Sequence, residues 1–372
     1  MVVDPRRDHS IRIPRPDLTV TLGVPNACNH CHEDRDAAWA AEQTARWHGA
    51  PGAGQQDWAE AFAAARAGDP RSERMLVDLV EDVDTPDIAR ATALLELRAF
   101  LSPSSADTLQ RGLADPSPLV RIAALRGLEA LPPPQRYPFA EALLQDPLRA
   151  VRIEAARVLA GVSEETLATG QRLALRRALG EYVQSQELNA DRADARTNLG
   201  NLFQQRGDLT RAESEFRRAI ELDPLFPVSY VNLADLYRLQ RRDQAAANVL
   251  AEGLARLPES AALHHALGLL QVRGGDMDGA LSSLGAAARL DPQEPRFAYV
   301  YGVALNSAGR AEAVPVLRRA LQRHPYDRDI LFALVTMLRD GGEIAQAQSL
   351  ARRMLEIRPD DVQARQLLDT LR

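Results

Sequence analysis

The second half of this chain repeats with a step of 34 residues, and that period restricts the fold more than any other feature of the sequence. The segment "NLGNLFQQRGDLTRAESEFRRAIELDP" carries Leu199, Gly200, Phe203, Gly207, Ala212, Phe216, Ala219 and Pro224. One step on come Leu233, Ala234, Tyr237, Ala246, Leu250, Gly253 and Pro258; a second step gives Leu267, Gly268, Gly275, Ala280, Leu284, Ala287 and Pro292. A fourth unit runs to Pro325 and is one residue short after Gly309. A fifth ends at Pro359 with Leu334, Gly342 and Ala347 in register. Apolar residues spaced three and four apart describe helices, and the prolines stop the second helix of each unit. Such a hairpin cannot bury both of its apolar faces alone, so successive hairpins must stack into a superhelix with a concave groove.

Small residues such as Gly200, Ala212 and Ala219 let the paired helices approach, while Leu199, Phe203 and Phe216 fill the space between them. On these positions the segment 193–359 resembles the tetratricopeptide (TPR) proteins, with residues 360–372 left for a capping helix. A second period of 31 lies upstream. "DPSPLVRIAALRGL" from Asp115 is echoed by "DPLRAVRIEAARVL" from Asp146, so Val120, Arg121 and Ala124 fall on Val151, Arg152 and Ala155. One step back, "TPDIARATALLEL" supplies Ala89, Arg90 and Ala93. These units resemble short HEAT repeats over 58–162, with aspartate and proline expected to open each second helix. Residues 51–57 read as a linker and 163–192 as a helix joining the two arrays. The expected fold class is all-α: a short N-terminal segment followed by HEAT-like and TPR α-solenoids.

Composition removes several function classes. The net charge of −6 arises from 45 basic and 51 acidic side chains spread along the chain, which leaves no basic stripe for nucleic acid. No apolar run approaches the ~18 residues of a membrane span, and the opening "MVVDPRRDHS" lacks the regions of a secretion signal. No nucleophile–base constellation, phosphate loop or carboxylate pair stands out. All 45 basic residues are arginine, so the lysines of a carboxylate-clamp groove are missing.

The chemistry concentrates in "VPNACNHCHED", residues 24–34, which holds both cysteines of the chain. Cys28, Cys31 and His32 form C-x-x-C-H, the attachment pattern of c-type haem. Two thiols three residues apart share one turn, where each can form a thioether with a vinyl group on the porphyrin edge. His32 then follows as the proximal axial ligand to iron. A buried or locally disulfide-bonded thiol pair and a zinc site are the rival readings. Zinc wants a fourth ligand and usually a second cysteine pair, which the sequence does not contain. A thiol–disulfide oxidoreductase would need a preceding strand. For the sixth iron position His9, in "RRDHSIRIPRP", is the candidate, for this haem or a neighbouring one, with His48 in "ARWHGA" as the second choice.

"MVVDPRRDHSIRIPRPDL" followed by "PNACNHCHEDRDAAWAAEQTARWHG" resembles the last haem segment of multihaem c-type cytochromes whose C-terminal part consists of HEAT-like and TPR repeats. The resemblance assigns 1–50 as a haem-binding segment. It implies covalent haem c, a ligand role for His9, an upstream multihaem domain and secretion signal that make Met1 an internal methionine, and a periplasmic or otherwise exported holo-protein. The expected function is electron transfer coupled to a repeat scaffold that docks a redox or assembly protein. A haem-free TPR/HEAT interaction scaffold is the alternative, with Asn201, Gln205, Asn232, Arg238 and Arg296 as inner-groove residues for an extended peptide. A part in a multihaem oxidoreductase is a further one.

Overall fold

The computed structural model describes residues 14–49, 58–100 and 102–371. Twenty-one α-helices and no strand occur among them. Two helices lead the repeats, α1 (Pro16–Leu22) and α2 (Ala37–His48), and they pack on each other. The HEAT-like region follows as α3 (Ala59–Arg66), α4 (Ser72–Glu81), α5 (Asp87–Leu97), α6 (Pro103–Gly112), α7 (Pro118–Gly127), α8 (Pro133–Ala140) and α9 (Arg149–Val158). The long α10 (Thr169–Glu187) leads into the TPR hairpins. These are α11 (Ala193–Gln205) with α12 (Leu209–Leu222), α13 (Pro227–Leu239) with α14 (Asp243–Arg256), and α15 (Ala261–Gly274) with α16 (Met277–Leu290). Then come α17 (Pro295–Ser307) with α18 (Ala313–Arg323), α19 (Arg328–Asp340) with α20 (Ile344–Ile357), and α21 (Val362–Thr370) as a cap.

The repeated residues account for the hairpins. Every TPR second helix ends two residues before its proline, at Leu222, Arg256, Leu290, Arg323 and Ile357. A Cβ on Gly200 would stand 2.4 Å from the fully buried Phe216 ring, and one on Gly302 would stand 2.5 Å from Leu317. Helices thus cross where one of them has no side chain. The turns within hairpins place Gly207, Gly275, Gly309 and Gly342 at positive φ, and in the second unit Arg241 takes that conformation at φ 59°. The short fourth unit loses its residue from the turn after Gly309, and α18 is an eleven-residue helix where its counterparts have fourteen.

In the HEAT-like half the helix starts differ from the expected pattern. Asp115 and Asp146 stand ahead of the helices and accept hydrogen bonds from the N–H groups of Ser117 and Leu148, each at 2.8 Å. Of the second helices α5, α7 and α9, only α7 has proline at its first position, Pro118. The aspartates serve a second purpose, which the 31-residue recurrence of arginine explains. Arg90 pairs with Asp115, Arg121 with Asp146 at 2.9 Å, and Arg152 with Glu181 of α10 at 2.9 Å. Arg121 also donates to the carbonyls of Asp115 and Pro116, and Arg152 to those of Asp146 and Pro147. Arg121 and Arg152 therefore each clamp the turn ahead of their own helix and an acid of the next unit, while Arg90 joins its acid to the Val80 carbonyl at the end of α4. Because Glu181 lies on α10, the last rung ties the connecting helix to the HEAT-like array. Leu175, Ala178 and Leu179 of α10 share one apolar core with α3–α9, and that core runs on to Leu202 of α11.

A second ion cluster sits deeper. Glu154 is 7% exposed and takes hydrogen bonds from Arg126 at 3.0 Å and from Arg157 at 2.6 Å, while Arg157 also reaches Glu129 at 2.6 Å. Burial favours the protonated acid, but the guanidiniums of Arg157 and Arg126 outweigh it and hold the Glu154 carboxyl below its usual 4.5. A depressed folded pKa contributes stability above the unfolded value and loses it as pH falls through the folded one. The melting temperature of the full chain is expected to fall more steeply below about pH 4.5 than that of Glu154→Gln, a variant that is less stable at pH 7. Parallel acid profiles for the two would remove this cluster as a cause.

Candidate functional site

Two regions carry candidate functional groups. The first is the turn between α1 and α2. Cys28–His30 forms a single 3-10 turn, closed by the N–H of Cys31 to the Cys28 carbonyl at 3.2 Å, and the His32 N–H donates to the same carbonyl at 2.9 Å. Asn26 braces it: its side-chain amide donates to Thr19 of α1 and to Asn29, while Asn29 donates to the Arg35 carbonyl at 2.8 Å. Asp36 then caps α2 by accepting from the Trp39 N–H at 2.8 Å. Cys28 is half-buried, and Cys31 and His32 are exposed, with the His32 ring 4.9 Å from that of Trp39. Both sulfurs are free thiols on one turn, next to an accessible imidazole.

That donor set fits covalent attachment of a flat group across the turn, with Trp39 as an aromatic wall beside His32. It does not fit a preformed zinc site: no three His, Cys, Asp or Glu side chains gather around one point among the described residues. His48 lies at the far end of α2, nine residues beyond Trp39 and so about 13 Å along the helix, and the structure does not bring it to His32. His9 and Met1 lie outside the described residues. His30 is exposed.

The second region is the inner row of TPR helices. The first helices of successive hairpins touch one another, α11 with α13, α13 with α15, and α17 with α19, as expected of the row that lines the groove. Asn232 donates to Asn201 at 2.9 Å across two units, Gln205 is exposed, and Arg238 pairs with Asp235 at 3.1 Å. The structure thus joins two of the expected groove residues and leaves Gln205 and Arg238 on the surface. Arg296 stands apart from these, beside His265 of α15. That imidazole is 9% exposed, lies 4.9 Å from the Phe297 ring and has no hydrogen-bond partner on either nitrogen among the described residues. Burial, with Arg296 adding to it, lowers its pKa and favours the neutral ring.

Polar residues were the expected groove, yet its exposed apolar side chains are the larger feature. Val228 and Leu239 on α13 are 44% and 61% exposed, and Leu269 and Val272 on α15 are each 40% exposed. The signal lay in the period: apolar residues on first helices that fall outside the recurring core positions must face elsewhere. His264 and His265 point apart as consecutive helical residues do. The former is half-buried and bonds the Pro258 carbonyl at 2.9 Å, while the latter is buried.

Comparison with known proteins bears on the repeats. A family model described as HEAT repeats matches residues 73–160, and one described as the C-terminal domain of cilia and flagella-associated protein 70 matches 140–371. No curated protein sequence matches. Among solved structures, yeast Tom70 aligns over 87% of this chain and 65% of its own, at 14% identity and TM-score 0.52, a likeness of fold alone. YrrB, a TPR protein with an unusual peptide-binding site, covers 49% of this chain and 94% of its own at 21% identity and TM-score 0.37. PilF of Pseudomonas aeruginosa covers 48% and 82% at 19% identity and TM-score 0.42. Both matched family stretches fall within residues 73–371, so they describe a repeat protein and do not reach the C-x-x-C-H turn. With the larger match spanning more than half of the sequence, the chain belongs to the family of the cilia and flagella-associated protein 70 C-terminal domain.

Proposed function

We propose that this repeat protein is a docking scaffold whose inner TPR row holds a protein segment through apolar anchors. The observation that supports this reading is the run of Val228, Leu239, Leu269 and Val272 on adjacent inner helices, each at least 40% exposed. Exposed apolar side chains clustered on a concave face mark interaction sites more often than chance surface scatter does. Arg238 and Arg296 sit on the same row and suit acidic positions flanking those anchors. A photo-reactive residue at Leu239 or Leu269 should cross-link one and the same protein in cells of the source organism. Equal yield of that adduct from Arg218, on the outer helix α12, would defeat the reading.

A second reading rests on the 3-10 turn, where the half-buried Cys28 and the exposed Cys31 precede an exposed imidazole. In it Cys28 and Cys31 would hold haem c through thioethers, His32 would give its ring to the iron, and Trp39, 4.9 Å away, would orient that ring. When bound, the group supplies one-electron transfer, and the protein sets its potential and access. His9 would serve as a further ligand, to this haem or to a neighbouring one. The repeats would then dock a redox or assembly partner, an upstream multihaem domain included, in an exported, periplasmic protein. Export of the chain behind a signal peptide, in a host that matures c-type cytochromes, should give a band that stains for haem on a denaturing gel. Cys28→Ala with Cys31→Ala should lose the stain. A well-folded, unstained native chain would leave the haem-free scaffold standing alone.

A further inference from the structure

The two ends of the repeat region meet. The turn after α3 comes against the turn after α18, where a Cβ on Gly68 would stand 3.7 Å from that of Tyr326. Between them lies a cavity of about 670 Å³, walled on one side by the start of the HEAT-like array and on the other by the last TPR hairpins. That is the size of a small-molecule site.

Its lining combines an apolar floor with unbalanced charge. Phe100, Leu331, Met354 and Ile357 supply the floor. Four arginines face two aspartates. Asp361 is neutralised by Arg328 at 2.7 Å, Asp327 accepts from the Ile330 N–H at 2.8 Å, and Arg66 lies 3.5 Å from Glu96 outside the lining. Arg323 and Arg358 remain, exposed and with no acid or hydrogen-bond acceptor on their guanidiniums among the described residues. Two uncommitted forks over an apolar floor match an anionic head on an apolar body, because guanidinium pairs with carboxylate or sulfonate oxygens through charge-assisted hydrogen bonds.

We propose that this cavity binds a small organic anion with an apolar body, held by Arg323 and Arg358 and bridging the first HEAT-like unit to the last TPR unit. Its lining takes in the starts of α17 and α19 but none of the apolar anchors Val228, Leu239, Leu269 and Val272 and no residue of the C-x-x-C-H turn, so it stands or falls independently of the proposed function. Occupancy would fasten the two ends together and raise the melting temperature with the logarithm of ligand concentration above its Kd.

The test is a fluorescence titration of the full chain with 1-anilinonaphthalene-8-sulfonate. One saturable site is expected, displaced by octanoate but not by octylamine. Arg323→Ala with Arg358→Ala should weaken it about tenfold or more, and the Lys pair at the same positions should recover part of the loss. Neither arginine supports the fold, and circular dichroism checks this. Ala99→Trp, at an exposed lining position, should block the site sterically with the charges intact, whereas Leu269→Glu on the inner row should leave it unchanged. Octylamine competing as well as octanoate, or both cavity variants binding as the native chain does, would overturn the proposal.

Discussion

Phe216→Ala is expected to destabilise the chain by about 3–5 kcal/mol, the range for truncating a buried phenylalanine. The ring is fully buried, and it fills the space that Gly200 leaves open between α11 and α12. The reverse change is informative too. Gly200→Ala gains up to about 1 kcal/mol of helix propensity but sets a methyl group 2.4 Å from the ring. Overpacking of about 1–3 kcal/mol should win, so the variant is expected to be less stable than the native chain. Adding Phe216→Leu should recover part of that loss, because the two positions share one volume. Urea titrations of the native chain, Gly200→Ala, Phe216→Leu and the double variant give the coupling, and strictly additive effects would mean that the crossing does not depend on this pair.

Asp146→Ala is expected to cost about 3–5 kcal/mol, as breaking a buried ion pair from one side does. Arg121 is only 12% exposed on its side chain and Asp146 5%, so the arginine would keep its charge without its counterion. The aspartate also caps the turn at Leu148, which adds a lost hydrogen bond. Replacing both residues by leucine should be much milder than Asp146→Ala alone, since an apolar pair leaves no stranded charge. Thermal melts of the single and double variants measure this. A double variant as unstable as the single one would show that turn capping, rather than charge pairing, carries the effect.

Much of the architecture was legible because repeats state each constraint several times. The pairing of Gly200 with Phe216 and the helix ends two residues ahead of Pro224, Pro258, Pro292, Pro325 and Pro359 follow from residue size and proline chemistry at recurring places. The arginines at 90, 121 and 152 were visible as a period, but their partners were not. Asp115 and Asp146 read as helix openers, and Glu181 falls outside the 31-residue step on a helix taken for a connector.

The sites were less legible. Polarity pointed to Asn201 and Asn232, which satisfy each other across two units, and away from Leu239 and Leu269, which stay exposed. The cavity joins Phe100 to Arg358 through superhelical curvature, a quantity no local spacing encodes. The C-x-x-C-H turn is the opposite case: its chemistry is wholly in the sequence, and the fold adds the accessibility of the thiols and the position of Trp39.

The scaffold reading is tested most directly by affinity. The protein cross-linked from Leu239 and Leu269 should be titrated against the native chain, Leu239→Glu with Leu269→Glu, and Arg218→Glu on the outer helix. Both leucines are at least 40% exposed, so the variant should keep its fold. Loss of binding by about tenfold or more in the inner-row variant, with the outer-helix variant unchanged, is the result expected of a concave docking face. Equal affinity of all three chains would contradict it.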